Sequence, residues 1–241
     1  MQIIGLPLLA FVIWFGFADR DASQISAFDL HAAIVVLVGS TAAILTCSSR
    51  LTAFRTLSCI RELIPSLGTL QPQTESIEKQ RQELTELWSA GQRAQAVAYA
   101  ERSEYPVISQ MIQLVLRRSP RAAAHSAFLE ISHTEMSRWQ PAISNWELLA
   151  KLGPSFGMVG TITGMIKMFQ NMGSDNLNLG AAMSLALLAT LYGVAFGAGV
   201  AGPIGHYLRG LLDERLGVVE RCEQSVAELI ATSSYDIRPE S

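Results

Sequence analysis

The sequence predicts an all-α membrane protein with four transmembrane helices and a cytoplasmic helical unit between the second and the third. Three observations support this fold class. Hydrophobic residues make up 49% of the 241 residues and charged residues only 16%, a balance that favours a membrane protein over a soluble domain. The apolar residues gather in four long runs. The stretch between the second and third runs carries helix signals and almost no strand signals.

The four apolar runs are residues 2–17, 30–47, 152–172 and 179–207. About 20 helical residues, each rising about 1.5 Å, span the hydrocarbon core of a bilayer. The first run is short and resembles a secretory signal in position. It lacks a positive leading segment and a small-residue cleavage site, and it contains Pro7, so we predict a retained helix.

Basic residues determine the predicted orientation in the membrane. Arginines follow the second and the fourth runs: Arg50, Arg55, Arg61, Arg209 and Arg215. The loop of residues 18–29 carries more acidic than basic residues, and the loop after the third run has only Asp175. Both short loops are therefore predicted to lie in the periplasm. Both termini and the middle segment are predicted to lie on the cytoplasmic side of a bacterial inner membrane.

This orientation divides the chain into four regions. Residues 1–47 form two transmembrane helices, residues 48–150 the cytoplasmic helical unit, and residues 151–207 two further transmembrane helices. Residues 208–241 form a cytoplasmic amphipathic helix and tail. Its apolar stripe indicates packing against the protein's own helices: Leu212, Val219, Cys222, Val226 and Leu229.

Within the cytoplasmic unit the second membrane helix is predicted to continue to Ile64, where Pro65 ends it. Two prolines and Gly68 indicate a linker over residues 65–74. Helices are predicted at about 75–90, 92–103 and 107–118. Ser119-Pro120 then begins a helix that continues, with a bend at Pro141, into the third membrane run.

No motif of an enzyme is present. The sequence lacks a phosphate-binding glycine loop with a lysine, a metal-binding cluster and a nucleophile motif, so we predict no catalytic residue, cofactor or metal. The net charge of −3, without a basic block, excludes the electrostatic signature of a nucleic-acid binder. The three cysteines have no ligand spacing, and His125 and His133 are predicted to be ordinary helix-surface residues.

Two sets of glycines lie at helical spacing in the last two runs. Those of the third run recur at spacings of four, three and four on one helix face: Gly153, Gly157, Gly160 and Gly164. The fourth run carries Gly193 and Gly197. Small residues let helix backbones approach closely, so these faces are predicted to pack against helices. Packing within one chain and packing against further helices both fit the pattern.

Hydroxyls and prolines accompany the glycines. Thr161, Thr163 and Thr190 place polar atoms at membrane depth, so these helices are predicted to line a wet path. Pro154 and Pro203 lie near the predicted cytoplasmic ends of the two helices. A proline there frees a backbone carbonyl to meet water or to act at a hinge.

The central parts of the last two runs contain no Asp, Glu or His. Proton relays in membranes run through such groups, so the titrating group of any ion path must come from another polypeptide. Lys167 is the one charge in the third run. It is predicted to extend outward to the membrane interface, with a role at a pore mouth as the alternative.

These residues resemble the MotA/TolQ/ExbB proton channel family. The similarity is carried by Gly-Pro-Ser-Phe-Gly-Met-Val-Gly-Thr-Ile-Thr-Gly-Met at residues 153–165 and by Leu-Leu-Ala-Thr-Leu-Tyr-Gly at residues 187–193. Pro203, ten residues after Gly193, completes it. The order of two helices, a cytoplasmic unit and two more helices is most similar to the four-helix MotA and PomA stator subunits.

The resemblance implies a homo-oligomer, a pentamer in this family, around single-helix partner subunits that carry a membrane carboxylate. It implies hinges at Pro154 and Pro203. The ion pathway that it implies comprises Thr161, Thr163, Thr190 and Tyr192. Sodium-driven members tend to have a second threonine where this sequence has Ala189, which favours protons.

One departure leaves the driven load open. Flagellar stators present an arginine and a glutamate to the rotor on either side of a glycine, and aligning that glycine with Gly91 puts Trp88 and Ala96 in those places. A cytoplasmic rotor protein is one interpretation of the load. The alternatives are an outer-membrane process driven as in TolQ or ExbB systems, and a non-conducting helical scaffold.

Overall fold

The computed structural model describes residues 30–64, 67–170 and 179–235. The regular elements within these ranges are all helices, which confirms the predicted all-α fold class for this part of the chain. The eight α-helices are α1 (Leu30–Cys47), α2 (Arg50–Ser58), α3 (Leu70–Ser89), α4 (Arg93–Glu101), α5 (Pro106–Leu116), α6 (Arg121–Gln170), α7 (Leu179–Phe196) and α8 (Gly202–Tyr235). A 3₁₀ turn covers Cys59–Leu63, and a π-helical turn covers Gly197–Ala201.

The described chain divides into two compact units. One comprises α1, α2 and residues 141–207, and the other comprises residues 61–140 and the chain from Leu208 onward. The four sequence regions proposed above have different boundaries and stay a prediction.

In the first unit α1 packs against α7 and contacts α6. A Cβ atom on Gly39 would lie 2.7 Å from two ring atoms of Phe156, so the absence of a side chain lets α1 approach α6 closely. Ser40 is fully buried in α1, and its hydroxyl donates to the carbonyl of Val36 at 2.6 Å. A hydroxyl can therefore lie inside the apolar unit without an unpaired donor.

The predicted continuous helix to Ile64 is wrong, because the helix ends at Cys47 and a new helix begins at Arg50. Ser49 is the N-cap, and its hydroxyl accepts the backbone N–H of Thr52 at 3.3 Å. The hydroxyl of Ser48 donates to the side-chain oxygen of Asn145 at 2.9 Å. Two adjacent serines thus satisfy polar groups at a helix break that hydrophobicity alone does not reveal.

The predicted linker over residues 65–74 is also wrong in its second half, because α3 begins at Leu70. The carboxylate of Glu62 accepts the N–H groups of Thr69 and Leu70 at 2.8 and 2.9 Å, and the Thr69 hydroxyl at 2.9 Å. The Glu62 side chain thus caps the start of α3, although Glu62 lies seven residues before the N-cap residue Thr69. Pro72 lies in the first turn, where its missing N–H would have no helical partner, so it does not break the helix.

The second unit has one hydrophobic core built from α3, α4, α5, the start of α6 and the end of α8. The predicted helices at 75–90, 92–103 and 107–118 are confirmed as α3, α4 and α5, with a longer start for α3. The predicted packing stripe of the C-terminal helix is confirmed, since all its members are buried: Leu212, Val219, Cys222, Val226 and Leu229.

Membrane-spanning length was assessed for the described residues only. There, one helical stretch is long and apolar enough to cross a membrane, Ala186–Ala231, and two shorter helices are apolar, Ala32–Cys47 and Pro106–Leu116. The predicted first span, residues 2–17, lies outside the described residues. The predicted third span forms the end of α6. Four transmembrane helices and their orientation therefore stay a prediction.

An ion-pair cluster joins α3 to α8 inside the second unit. Glu78 accepts from Arg81 at 2.6 Å and from Arg221 at 3.1 Å, and Arg81 also donates to the Ser225 hydroxyl at 2.8 Å. The hydrogen bond from Arg81 is the main cause that lowers the pKa of Glu78 to about 2. Partial burial opposes this effect, and the hydrogen bond from Arg221 adds to it.

This cluster predicts a loss of stability in acid. The pKa of Glu78 is lower in the folded chain, so its stabilising effect is complete above about pH 4.5 and is lost as the pH falls towards 2. We expect the thermal midpoint of the detergent-solubilised chain, followed by circular dichroism, to fall over this interval. Glu78→Gln should make the decrease of the thermal midpoint over this pH interval smaller.

Glu75→Gln is the matched control, since it removes an exposed carboxylate one turn earlier on the same helix. The difference between wild type and Glu78→Gln should shrink as the pH falls, whereas Glu75→Gln should run parallel to wild type. Parallel curves for all three proteins would contradict a role for the cluster in acid stability.

Candidate functional site

The first unit contains a backbone-to-backbone contact between α6 and α7. A Cβ atom on Gly153 would lie 2.7 Å from the carbonyl oxygen of Gly193, and one on Gly193 would lie 2.5 Å from the carbonyl oxygen of Gly153. A Cβ atom on Gly157 would meet the carbonyl oxygen of Ala189 at 3.0 Å. Real Cβ atoms do not approach backbone so closely. These glycines thus lie where two helices of the same chain touch, which is one of the two arrangements that their spacing allows.

The contact continues at both ends. A Cβ atom on Gly160 would clash with the methyl group of Ala189, and Gly164 is buried one turn further along α6. At the other end a Cβ atom on Gly197 would lie 2.5 Å from Cδ of Pro154 and 2.6 Å from the carbonyl oxygen of Ala150. Five of the six predicted packing glycines therefore form one contact line along α6 and α7: Gly153, Gly157, Gly160, Gly193 and Gly197.

Two threonines meet across this contact line. The hydroxyls of Thr161 on α6 and Thr190 on α7 are 2.9 Å apart, which is a hydrogen bond. Thr161 also lies 2.9 Å from the carbonyl oxygen of Gly157, to which its hydroxyl can donate, and Thr190 lies 3.4 Å from that of Ala186. Both side chains are half-buried. The pair leaves free acceptor lone pairs at a position that water or an ion could reach.

Thr163 and Tyr192 occupy different surroundings. The exposed hydroxyl of Thr163 bonds the carbonyl oxygens of Val159 and Gly160 on its own helix, at 3.0 and 2.9 Å. Tyr192 is half-buried on α7. The side chain of Lys167 lies outside the described residues, so the prediction for it is not tested. Of the four predicted pathway residues, Thr161 and Thr190 are the two brought into contact with each other.

The two prolines lie in different helical surroundings. Pro154 lies inside α6, which continues through it as through Pro141. Pro203 follows the π-helical turn Gly197–Ala201, in which the N–H of Gly202 donates to the carbonyl of Gly197. Turns of this kind are rare and frequently found at functional sites. The sequence analysis did not anticipate the turn, although a proline and four glycines within residues 197–205 were its signal.

Ala189 is the residue that sequence reasoning undervalued. It is 1% exposed, and it forms the α7 side of the contact at both Gly157 and Gly160. Together with Gly193, Gly197 and Ala201 it continues a row of small residues spaced by four. That spacing was visible in the sequence, but the row was counted from its glycines alone.

Much of the described surface of α7 and of α6 after Gly157 is apolar. Large hydrophobic side chains are exposed on both helices: Met158, Val159, Ile162, Met165, Ile166, Phe169, Met183, Leu187, Leu191 and Val194. No Asp, Glu or His occurs in residues 152–170 or 179–205. The site can therefore offer hydroxyl and carbonyl oxygens but no group that titrates near neutral pH. Within the described ranges no group of three or more His, Cys, Asp or Glu side chains could hold a metal ion.

Comparison with known proteins decides the family. The profile of the MotA/TolQ/ExbB proton channel family matches residues 100–221, half of the chain. The chain belongs to this family. The matched range includes both glycine faces, the Thr161–Thr190 pair and both predicted hinge prolines, so the resemblance stated from the sequence is confirmed.

Among individual relatives, Motility protein A of Aquifex aeolicus is 31% identical over 112 residues, which is 45% of this chain and 42% of the relative. Chemotaxis protein PomA of Vibrio alginolyticus is 42% identical over 57 residues, 24% of this chain and 22% of the relative. The alignments thus span less than half the length of these relatives.

Two solved structures share the fold over nearly the whole chain. The flagellar MotAB stator complex from Bacillus subtilis matches with a TM-score of 0.74 and 16% identity, over 95% of this chain and 88% of that one. C. jejuni MotAB matches with a TM-score of 0.73 and 14% identity, over 99% of this chain and 95% of that one.

The turn around Gly91 does not display the arginine and glutamate that flagellar stators present to the rotor. Gly91 has a φ of +78° between α3 and α4, a conformation that favours glycine. Trp88 is 6% exposed and Ala96 is fully buried, so both belong to the core of the second unit. The guanidinium of Arg93 lies over the Trp88 ring, 5.6 Å from its centre. The two aligned places therefore hold core side chains and not a displayed ion pair.

Proposed function

We propose that this chain is the proton channel subunit of a MotA-like stator, which converts ion flow into rotation or other mechanical work. The observation that supports this function best is the Thr161–Thr190 hydroxyl pair between two helices in backbone contact. Hydroxyls can hold water or an ion, whereas a scaffold has no need of polar atoms there. The names of the relatives, Motility protein A and PomA, support the same function.

The proposed partner is a single-helix subunit with a membrane carboxylate. The two candidate helices supply oxygen acceptors but no titrating group, so a proton path past Thr161 and Thr190 needs a carboxylate from elsewhere. The two solved structures described above are of MotAB, which supports a MotB-like partner.

The proposed assembly is a homo-oligomer, a pentamer as in the family, in the bacterial inner membrane. Ten large apolar side chains are exposed on α6 and α7, which indicates that lipid or protein covers them, because soluble monomers rarely expose large apolar patches. In a ring of subunits, one side of the helix pair would face the partner helix and the rest would face other subunits or lipid. Both termini are proposed to be cytoplasmic.

Protons are the proposed ion. Ala189 is buried, and its methyl group already fills the space beside Gly160. A threonine here would place two further heavy atoms into the closest part of the α6–α7 contact. The chain therefore has no room for the second threonine that sodium-driven members tend to carry.

A load other than a flagellar rotor is the second candidate, and one observation favours it. The places aligned with the rotor-facing charges hold buried Trp88 and Ala96. The same proton-driven unit could energise an outer-membrane process. The gene adjacent to this one discriminates: a partner with a peptidoglycan-binding domain favours a stator, and a TonB-like energy transducer favours the alternative.

Thr190→Val tests the proposed pathway. The substitution keeps the side-chain shape and removes the hydroxyl that bonds Thr161. We expect proton flux through reconstituted vesicles that contain the complex to fall severalfold, while the oligomer keeps its size on native gels. Hydrogen bonds within membranes are worth about 0.6–2 kcal/mol, which bounds the accompanying loss of stability.

Thr41→Val is the matched control. The hydroxyl of Thr41 bonds only carbonyl oxygens of its own helix, those of Leu37 and Val38, so its loss should leave the flux unchanged. Thr163→Val shows whether a second hydroxyl of the predicted pathway contributes. Wild-type flux in the Thr190→Val complex would overturn the assignment of this pair to the ion path.

A further inference from the structure

The short helix α2 exposes a row of large apolar side chains. Leu51 is 74% exposed, Phe54 75% and Leu57 66%. Their spacing of three residues places them on one face of the helix. A solvated helix of nine residues gains nothing from three such side chains in water, so this face needs an apolar cover.

The opposite face of α2 is fixed to α6 by hydrogen bonds. The side-chain nitrogen of Asn145 donates to the Thr56 hydroxyl at 2.8 Å, and the indole N–H of Trp146 donates to the Thr56 carbonyl at 3.0 Å. Thr56 is buried. The orientation of α2 is thereby set, and the apolar row is held outward and cannot turn in to join the core of its own unit.

The charges on α2 identify what covers this row. Arg50 and Arg55 are exposed beside it, and the helix contains no acidic residue. A face with apolar side chains and only positive charges is typical of helices that lie in the interface of anionic membranes. A second protein surface of apolar character would leave both arginines without counter-charges.

The position of α2 in the chain supports the same occupant. It begins three residues after the end of α1, which exposes the large apolar side chains of Ile34, Leu37, Val38 and Leu45. If α1 crosses the bilayer, α2 emerges at the depth of the phospholipid headgroups. Its apolar row then continues the lipid-facing surface of α1.

We propose that α2 is a membrane-interface helix that binds anionic phospholipids. Leu51, Phe54 and Leu57 enter the acyl-chain boundary, and Arg50 and Arg55 contact the phosphates. The proposal rests on the membrane location of α1 that is part of the proposed function. The binding site is the outward apolar face of α2 with its two arginines. The occupant is the membrane leaflet that lies next to this helix.

Spin-label accessibility of the full-length chain tests the proposal. A label is placed at Phe54→Cys in a Cys47→Ser background, because Cys47 is the exposed cysteine among the described residues. The protein is reconstituted in vesicles of phosphatidylglycerol and phosphatidylcholine. Collisions with oxygen, which concentrates in the bilayer, are compared with collisions with a water-soluble nickel chelate. Leu45→Cys is the bilayer reference, and Gln73→Cys, exposed on α3, is the aqueous reference.

The ratio of oxygen to nickel collisions at position 54 is expected to exceed that at position 73 severalfold. Arg50→Gln combined with Arg55→Gln should lower the ratio at position 54 when phosphatidylglycerol is present. The same substitutions should have little effect in phosphatidylcholine alone, which distinguishes anionic headgroups from a bilayer in general.

Three results would overturn the proposal. If the label at position 54 collides mainly with the nickel chelate while the label at position 45 collides mainly with oxygen, α2 is not an interface helix, and the membrane location of α1 stands. If the labels at both positions collide mainly with the nickel chelate, the membrane location of α1 is excluded as well. A label at position 54 that is shielded from both reagents and broadened by a second label shows that another copy of the chain covers this face.

Discussion

Vesicles that contain the purified chain alone are expected to stay tight to protons. The helices α6 and α7 carry no Asp, Glu or His in residues 152–170 or 179–205, and their threonine hydroxyls do not release protons near neutral pH. A proton that crosses about 30 Å of hydrocarbon needs a water wire or a titrating group. A permanently open wire would dissipate about 2.3 kcal/mol per charge for each 100 mV of membrane potential.

Co-expression with the single-helix partner is expected to produce flux, measured with a pH-sensitive dye inside the vesicles. Replacing the partner's membrane carboxylate with its amide should abolish the flux and leave the assembled complex intact. Thr190→Val in the same complex links the flux to the hydroxyl pair. Strong conduction by the purified chain without any partner would contradict both the proposed partner and the mechanism.

The second large effect is expected at Gly193. A leucine there must place its Cβ 2.5 Å from the carbonyl oxygen of Gly153 and 2.9 Å from Cα of Gly157, so α6 and α7 must separate. Overpacking typically costs about 1–3 kcal/mol, and more is expected here because both neighbours are backbone and cannot rotate away. We expect Gly193→Leu to lower the yield of folded protein in membranes and the thermal midpoint of what remains.

Gly210→Leu is the matched control, because a Cβ atom on Gly210 would meet nothing within 4 Å. It should fold and assemble as wild type does. Gly193→Ala should give an intermediate loss of stability, since it adds the clashing Cβ without the rest of the side chain. A Gly193→Leu protein with the wild-type midpoint would show that the two helices do not touch at this residue.

The parts of the fold that sequence could predict are those governed by periodic hydrophobicity. The stripe from Leu212 to Leu229 and the helices α4 and α5 follow directly from spacing, and the structure confirms them. The start of α3 could not be predicted in this way. Its cap is the carboxylate of Glu62, eight residues before Leu70, and a cap so far from its helix has no local signature.

The candidate site was predictable in composition but not in geometry. Glycine spacing indicated close helix packing, and the threonines indicated polar atoms near it, but neither reveals which hydroxyls meet. Thr161 and Thr190 are 29 residues apart, and their contact depends on how α6 and α7 dock. Thr163, two residues after Thr161, lies about 200° further around the helix, so its hydroxyl bonds only carbonyl oxygens of α6 and does not meet Thr190.

The π-helical turn at Gly197–Ala201 determines in which direction around the helix axis the side chains after it point. Ala189, Gly193, Gly197 and Ala201 are spaced by four, and in an unbroken α-helix each such step would drift by about 40° around the axis. The wider turn winds more slowly and offsets part of this drift, so that Ala201, Ile204 and Gly205 are still buried. Removing one residue here would rotate everything that follows by about 100°. The number of residues in this segment is therefore as constrained as their identity, in contrast to an exposed loop.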